Sequence, residues 1–345
     1  MLNRGRLRRG KLAKTFGRAG YGFLILTALI GLALAIVLSV SIGIAGSDFK
    51  TLVQTVAFGD DSSNLGRIML EMRLPRVLAA CLTGGAFALA GGIMQGITRN
   101  PLADAGLLGI NAGAGFTVAL SAVLWPSLSS LGTMLAAFGG AALAVLLVYG
   151  LGMGKQKAGV IRLILAGAAV GAFLTALSQG VALTFGLSKD LSFWTSGSLA
   201  GISWTQLNMA APWIAAAGAV GLLLAGRLSI LALGEESAAG LGVNVWVLRL
   251  TGLGVVLVLA GASVSLAGGI SFLGLIIPHT ARLLVGADYR KILPLSALLG
   301  GMLLVLSDVA ARMINAPFDT PVGALVSVIG VPFFLVLTYR KRGAL

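Results

Sequence analysis

The chain has 345 residues, of which 57% are hydrophobic and only 10% are charged, and its mean hydropathy is strongly positive. A soluble chain of this length would be expected to form about two domains with polar surfaces, so this composition indicates a single domain in lipid instead. The formal net charge of +14 comes from basic residues at the ends of apolar runs, not interleaved with aromatic residues on one face, which favours membrane topology over nucleic-acid binding.

The N-terminal segment, residues 1–19, is basic and contains no acidic residue. It precedes an apolar run of roughly 25 residues, which is too long for a signal-peptide h-region and long enough to span a bilayer. We therefore predict an uncleaved first helix whose N-terminus lies in the cytoplasm. The basic tail is explained by this topology and by attraction to anionic lipid.

Residues 20–345 are predicted to form one all-α integral membrane domain. Its 50 glycines suit closely packed spanning helices better than a β-barrel. Apolar runs separated by polar or Gly/Pro-rich breaks predict about ten helices, at residues 20–45, 75–97, 106–126, 132–152, 163–186, 205–225, 247–267, 272–286, 292–312 and 322–338. The eighth is short, so nine spans is the alternative count. Ten spans place both termini, and most basic residues, in the cytoplasm.

An internal repeat is suggested by two segments 177 residues apart. Residues 89–109 and 266–286 share an opening LAGGI, a proline, a leucine and a final glycine. If the similarity is not the chance result of Gly/Ala/Leu-rich composition, the domain consists of two inverted five-helix halves. Transporters are often built in this way.

The second span begins with Arg73-Leu74-Pro75-Arg76, with the proline early enough to cost no helical hydrogen bond. Both arginines are predicted at the outer surface, together with Arg312 at the outer end of the ninth span. Asp308 lies one turn before Arg312, a spacing that allows an intrahelical ion pair. These arginines either anchor the helices at the interface or dock an acidic partner.

Two segments are predicted on the cytoplasmic side. Asn100-Pro101-Leu102 forms a polar break after the second span, either a plain turn or the border of a transport path. The coupling segment (residues 233–245) reads LGEESAAGLGVNV and predicts a short helix bounded by glycines. Its acidic and apolar residues suit either a solvated connection or docking to a soluble partner; the candidates are Glu235, Glu236, Leu241 and Gly242.

Residues for catalysis, a cofactor or a metal ion are not evident. Gly154-Lys155-Gln156 lacks the upstream glycine and following Ser/Thr of a phosphate-binding loop. His, Cys and carboxylates do not cluster as metal ligands. The single cysteine, Cys81, is interpreted as a packing residue, and His279 as a structural, hydrogen-bonded histidine.

Taken together, these segments resemble the FecCD-type permeases of ABC importers for iron-siderophore complexes, haem and vitamin B12. The matching stretches are RLPRVLAACLTGGAFALAGGIMQGITRNPLADAGLLGINAGAG (73–115), ALGEESAAGLGVNV (232–245), GGISFLGLIIPHTARLLVGADYRKILPLSALLGG (268–301), LSDVAAR (306–312) and PVGALVSVIGVPFF (321–334). Matches extend from about residue 20 to the C-terminus. The long basic tail is a departure from the family pattern.

The resemblance implies a dimer of permease subunits, identical or paralogous, in the bacterial cytoplasmic membrane. Two ATP-binding subunits would lie inside and a substrate-binding protein outside, so ATP hydrolysis would belong to a partner. Arg73, Arg76 and Arg312 would then dock the binding protein, and the loop at about 230–245 would form the coupling helices that contact the ATPase. Asn100, Pro101 and Leu102 would border the cytoplasmic gate.

Two other functions are compatible with parts of the sequence. An ion-coupled secondary transporter can also have inverted repeats, but it requires ionisable residues within the membrane, and the predicted spans contain almost none. A membrane-embedded enzyme would require a nucleophile or a metal site. Neither the chelate that is carried nor the choice between homodimer and heterodimer follows from the sequence.

Overall fold

The computed structural model describes residues 18–42, 64–152 and 160–342, and the regular secondary structure in these ranges is helical. The basic tail up to residue 17 and the Gly154-Lys155-Gln156 segment lie outside the described residues. The α-helices of six or more residues are α1 Arg18–Ser41, α2 Leu74–Thr98, α3 Ile110–Leu124, α4 Ser130–Gly152, α5 Val160–Thr184, α6 Ser188–Thr195, α7 Trp204–Leu231, α8 Glu235–Gly240, α9 Val245–Ala267, α10 Leu273–Val285, α11 Tyr289–Ile314 and α12 Val322–Arg342. A short α-helix, Asn64–Arg67, and a π-helix, Ile68–Arg73, precede α2, and a 3-10 helix, Ala105–Leu108, precedes α3.

Each of the ten predicted spans corresponds to one of these helices, so the all-α prediction is confirmed. Within the described residues, seven helices are long and apolar enough to cross a membrane. Three apolar stretches are shorter: α3 Ile110–Leu124, α10 Leu273–Val285 and the part Val322–Val336 of α12. The 13-residue α10 would measure about 20 Å, less than the hydrocarbon thickness of about 30 Å. The eighth predicted span is therefore a real helix that is too short to cross alone.

Helix α2 lies at the centre of the bundle because its small residues allow close approach of its neighbours. It contacts α11, α9, α7 and α10, and its residues are almost all buried from Thr83 to Ile97. A Cβ atom on Gly91 would lie only 2.0 Å from the carbonyl oxygen of Gly274 in α10. Helices α3, α4 and α5 form a second packed group, which α9 joins to the first.

Both halves of the chain show the same order of helix lengths. After the first helix, α2 to α5 have 25, 15, 23 and 25 residues, and α9 to α12 have 23, 13, 26 and 21. The 177-residue register does not align these helices, however. Its LAGGI motif lies inside α2 in the first half but crosses the end of α9 in the second, where Gly268 has a φ of +71°. The two segments that match in sequence at this offset therefore do not occupy equivalent positions in their helices.

The starts of α1 and α11 lie at one end of the bundle, and the end of α1, the start of α2 and the end of α11 lie at the other, as the predicted topology requires. Tyr21 near the start of α1 donates a 3.5 Å hydrogen bond to the carbonyl oxygen of Lys291 at the start of α11. At the opposite end, Arg73 just before α2 and Arg312 in the last turn of α11 contact the C-terminal end of α1. We call the end with Lys291 the inner end and the end with Arg312 the outer end, following the predicted topology.

Candidate functional site

The outer arginine cluster consists of Arg73, Arg76, Asp308, Arg312 and Asp319, contributed by three parts of the chain. A π-helical segment, Ile68–Arg73, runs directly into α2 and orients the first two arginines. The other members come from the last two turns of α11 and the loop after it. The structure therefore brings together the three arginines predicted from the sequence.

Arg76 is held by two carboxylates. Its guanidinium donates to Asp308 Oδ1 at 2.9 Å, and to both oxygens of Asp319 at 3.0 and 3.3 Å. The same Asp308, whose side chain is fully buried, forms a second ion pair with Arg312 Nε at 3.1 Å. The intrahelical pair predicted from the sequence is thus one side of a larger network, and Asp319 was not anticipated.

Arg73 and Arg312 also satisfy the end of α1. Arg73 donates to the carbonyl oxygen of Val40 at 3.0 Å, and Arg312 donates to the carbonyl oxygens of Ile42 at 2.9 Å and Ser39 at 3.0 Å. The last carbonyls of a helix have no intrahelical partner and carry the negative end of its dipole. Two cations therefore fasten α1 to α2 and α11.

These contacts leave little of the arginines exposed, since the side chains of Arg76 and Arg312 are only 13% and 10% accessible. Asp319 is more open, at 34%. A cavity of about 440 Å³ adjoins the cluster and is lined by all three arginines and by Asp319. The outer end thus presents a buried cationic network behind an accessible carboxylate.

At the inner end, α2 finishes in a tight turn that contains Asn100, Pro101 and Leu102, which we call the gate loop. Arg99 closes the helix in the left-handed region at φ +52°. Asn100 Oδ1 then accepts from the backbone N–H of Leu102 at 3.0 Å, and its carbonyl oxygen accepts from Ala103 N at 3.1 Å. An Asn side chain commonly stabilises a turn in this way.

The coupling segment folds as its glycines predicted. Helix α8 begins after Gly234, whose φ of +136° suits glycine, and contains Glu235 and Glu236 in its first turn. Leu241 follows the helix and is 63% exposed, and Gly242 has a φ of +80°. Within α8 only Ala238 is buried, so most of this short helix faces outward from the bundle.

Two features of the inner end were missed by sequence reasoning. Trp246 and Leu233 are 62% and 71% exposed and extend the apolar surface around α8. In addition, Arg249 in the second turn of α9 pairs with Glu235 and donates through Nε to the carbonyl oxygen of Ile97 at 3.3 Å. Glu235 and Arg249 lie 14 residues apart on different helices, so no helical i,i+4 spacing points to this pair in the sequence.

Two cavities that are lined in part by polar side chains lie beside α6. One of about 710 Å³ is lined by Lys189, Asp190, Trp194 and several serines. A smaller one of about 210 Å³ is lined by Asn111, Thr175, Ser178, Gln179, Ser192 and Thr195. The hydroxyl and amide groups in both cavities can donate hydrogen bonds to a polar solute and accept them from it.

The described residues contain no group of three His, Cys, Asp or Glu that could hold a metal ion. Cys81 lies partly buried in α2, with its sulfur near Gly301. The ring of His279 packs edge-to-face on Phe333, with centroids 5.9 Å apart. Both side chains occupy packing positions between helices.

Comparisons with known proteins agree over nearly the whole chain. The model of the FecCD transport family matches residues 31–340. The chain is 42% identical over 339 residues to the iron(3+)-hydroxamate import system permease protein FhuB of Bacillus subtilis, covering 96% of this chain and 86% of that one. It is 41% identical over 330 residues to the hemin transport system permease protein HmuU of Yersinia pestis, covering 93% and 95%.

Among solved structures, the fold is similar to that of a metal-chelate type ABC transporter in an inward-facing conformation. The TM-score is 0.81 at 28% sequence identity, and the match covers 92% of this chain and 99% of the other.

Proposed function

Because this chain belongs to the FecCD transport family, we propose that it is the permease subunit of a binding-protein-dependent ABC importer that carries an iron-siderophore or similar chelate into the cytoplasm. The observation that carries this proposal is the family match over residues 31–340, supported by a fold shared with a metal-chelate transporter. The chain is accordingly a multi-pass protein of the cytoplasmic membrane.

Transport by this subunit requires partners. We assign ATP hydrolysis to two ATP-binding subunits at the inner end, and substrate delivery to a binding protein at the outer end. A second permease subunit, identical or paralogous, would complete the path. Large exposed apolar side chains on α5, such as Phe173 and Leu183, supply surface for that subunit or for lipid.

The outer arginine cluster is the proposed docking site for acidic residues of the binding protein. Its geometry changes how docking would work, because Arg76 already holds two carboxylates. Asp308 is buried between Arg76 and Arg312, and moving it away from them would leave buried charges without a counter-ion. Asp319 is accessible and, among the described residues, forms its ion pair with Arg76, so we propose that a partner carboxylate replaces Asp319 on Arg76.

This arrangement also changes the choice of mutation. Reversing Arg73, Arg76 and Arg312 together would surround Asp308 with like charge and disrupt the attachment of α1. Loss of docking in that variant would then reflect loss of fold. Asp319→Asn avoids this problem because Asp319 lies at the edge of the cluster.

The coupling segment is the proposed contact with the ATPase. Glu235, Glu236 and Leu241 are exposed on or beside a short helix whose one buried residue is Ala238. Exposed apolar residues beside charged ones suit a groove on a soluble partner. Movement of this segment would open or close the path at the gate loop.

A reconstituted system tests the function. The permease, its ATP-binding subunit and its binding protein are placed in proteoliposomes and supplied with an iron(3+)-hydroxamate chelate or hemin, each labelled with ⁵⁵Fe. We expect uptake of at least one chelate that requires both ATP and the binding protein. Uptake by the permease alone, driven by an ion gradient, would contradict this proposal and establish the secondary transporter instead.

A further inference from the structure

We propose that Arg249 is a positioning residue that links coupling helix α8 to the gate loop, so that movement of α8 is transmitted to the cytoplasmic gate. This inference rests on the proposed function. It concerns a residue outside both the coupling segment and the gate loop, and it depends on one guanidinium group that contacts both the coupling segment and the last turn of α2, which leads into the gate loop.

The first observation is the bridge itself. One nitrogen of Arg249 pairs with Glu235 in the first turn of α8, and Nε donates to the carbonyl oxygen of Ile97 in the last turn of α2 at 3.3 Å. These partners are separated by more than a hundred residues along the chain. The planar fork of an arginine can serve two acceptors at once, which a single ammonium group does poorly.

The second observation explains why the Ile97 carbonyl is available. In an α-helix this oxygen would accept from the N–H of the residue four positions later, which is Pro101, and proline has no N–H. Pro101 therefore ends the helix and also leaves the Ile97 carbonyl without its usual donor. Arg249 supplies that donor, with a positive charge at the negative end of the helix dipole.

The third observation is that α8 has few other attachments. Ala238 is its one buried residue, and its carbonyl accepts from Val243 N at 2.9 Å within the same segment. In the described part of the chain, the Arg249–Glu235 pair is the side-chain hydrogen bond that ties α8 to another helix. A displacement of α8 by a docked partner would thus first change the contact between Glu235 and Arg249.

The series of contacts that links the coupling segment to the gate loop is consequently short. Displacement of Glu235 would shift Arg249 through their ion pair, and Arg249 would shift Ile97 through its hydrogen bond to the Ile97 carbonyl oxygen. The gate loop begins three residues after Ile97. The side chains of Arg249 and Glu235 are 33% and 50% exposed, so the pair can be lengthened or exchanged without unfolding the bundle. A link that must move in every cycle benefits from this accessibility.

The decisive variant is Arg249→Lys, because it keeps the positive charge but not the two-acceptor fork. The matched control is Arg227→Lys, at an exposed arginine of the same end of the bundle. Both are prepared in the full transporter complex in proteoliposomes. Three quantities are measured: assembly with the ATPase, ATP hydrolysis stimulated by the binding protein, and ATP-driven uptake of the ⁵⁵Fe-labelled hydroxamate chelate.

A fourth measurement reads the gate directly. In a Cys81→Ala background, Arg99→Cys places a thiol beside the gate loop, and its rate of reaction with a maleimide is followed with and without ATP. We expect Arg249→Lys to assemble and hydrolyse ATP while uptake falls at least tenfold and the ATP-dependent change in labelling is lost. Arg227→Lys should behave as the wild type in all four measurements.

Uptake within twofold of wild type in Arg249→Lys, with labelling that still responds to ATP, would overturn the link. If that variant does not assemble, Glu235→Gln decides, because it weakens the bridge and leaves the Ile97 bond intact. Lowered uptake with unchanged assembly with the ATPase supports the link, and unchanged uptake refutes it. Failure of the proposed function would differ, since wild type would then show no ATP-driven uptake of any chelate.

Discussion

The two ends of the molecule use the same chemistry, arginine with carboxylate, under opposite conditions of burial. At the outer end, the fully buried Asp308 is shared by Arg76 and Arg312. At the inner end, Arg249 and Glu235 form one pair that is substantially exposed. Burial makes the first pair costly to break, since a lone charge would remain out of water, whereas solvent screens the second. The outer network is thus suited to holding helices, and the inner pair to moving.

The strongest test of this contrast is removal of the shared carboxylate. Asp308→Ala leaves two arginines without their buried counter-ion, and we expect the free energy of unfolding to fall by about 3–5 kcal/mol. The decrease would be measured by denaturation of the purified protein in detergent. Ser307→Ala, at the neighbouring buried position, is the control. A loss below about 1 kcal/mol would show that the outer network does not hold the helices.

A charge placed on the apolar part of the coupling segment tests whether the inner end is an interface. Leu241→Glu would bury a carboxylate against the ATPase, and we expect the affinity of that contact to fall by about 2 kcal/mol, roughly thirtyfold. The measurement is titration of the purified ATP-binding subunit onto the permease. Leu241→Met, which keeps an apolar side chain of similar size at the same position, is the matched control and should bind as the wild type does. Equal binding by Leu241→Glu and wild type would remove the docking role of Leu241.

A smaller effect is expected at the edge of the outer cluster. Asp319→Asn replaces a charged acceptor of Arg76 with a neutral one, so that a carboxylate of the binding protein can compete more effectively. We expect docking to tighten by about 1 kcal/mol, roughly fivefold, with a stronger dependence on salt. Surface plasmon resonance at two ionic strengths measures both. Weaker docking would mean that Asp319 orients Arg76 for the partner and does not compete with it.

The smallest effect on stability is expected from the exposed Glu235–Arg249 pair at the inner end. Glu235→Gln removes the charge of the inner pair, and because both side chains are accessible, we expect the free energy of unfolding to change by about 0–1 kcal/mol. The same denaturation measurement that is used for Asp308→Ala gives a direct ratio between the two ends. A loss comparable to that of Asp308→Ala would show that the inner pair is structural, contrary to its exposure.

Much of the architecture was predictable because helices in a membrane satisfy their own backbone and must be long and apolar. The ten helices and the placement of Arg73, Arg76 and Arg312 at one end follow from that requirement. The register of the internal repeat was wrong, because LAGGI is common composition for packed helices and its two copies occupy different local structures. The docking, coupling and gate roles of the site residues stay predictions.

By itself, the sequence determined the class of protein, the order of the helices and the glycine-bounded helix α8, because these depend on hydropathy, charge and local backbone preference. Only the tertiary structure decided which charges meet. Asp319 reaches Arg76 across 243 positions, and Arg249 reaches the Ile97 carbonyl across 152. Such pairs depend on how the helices pack, and a carbonyl deprived of its donor by Pro101 gains a partner only when another helix brings one close.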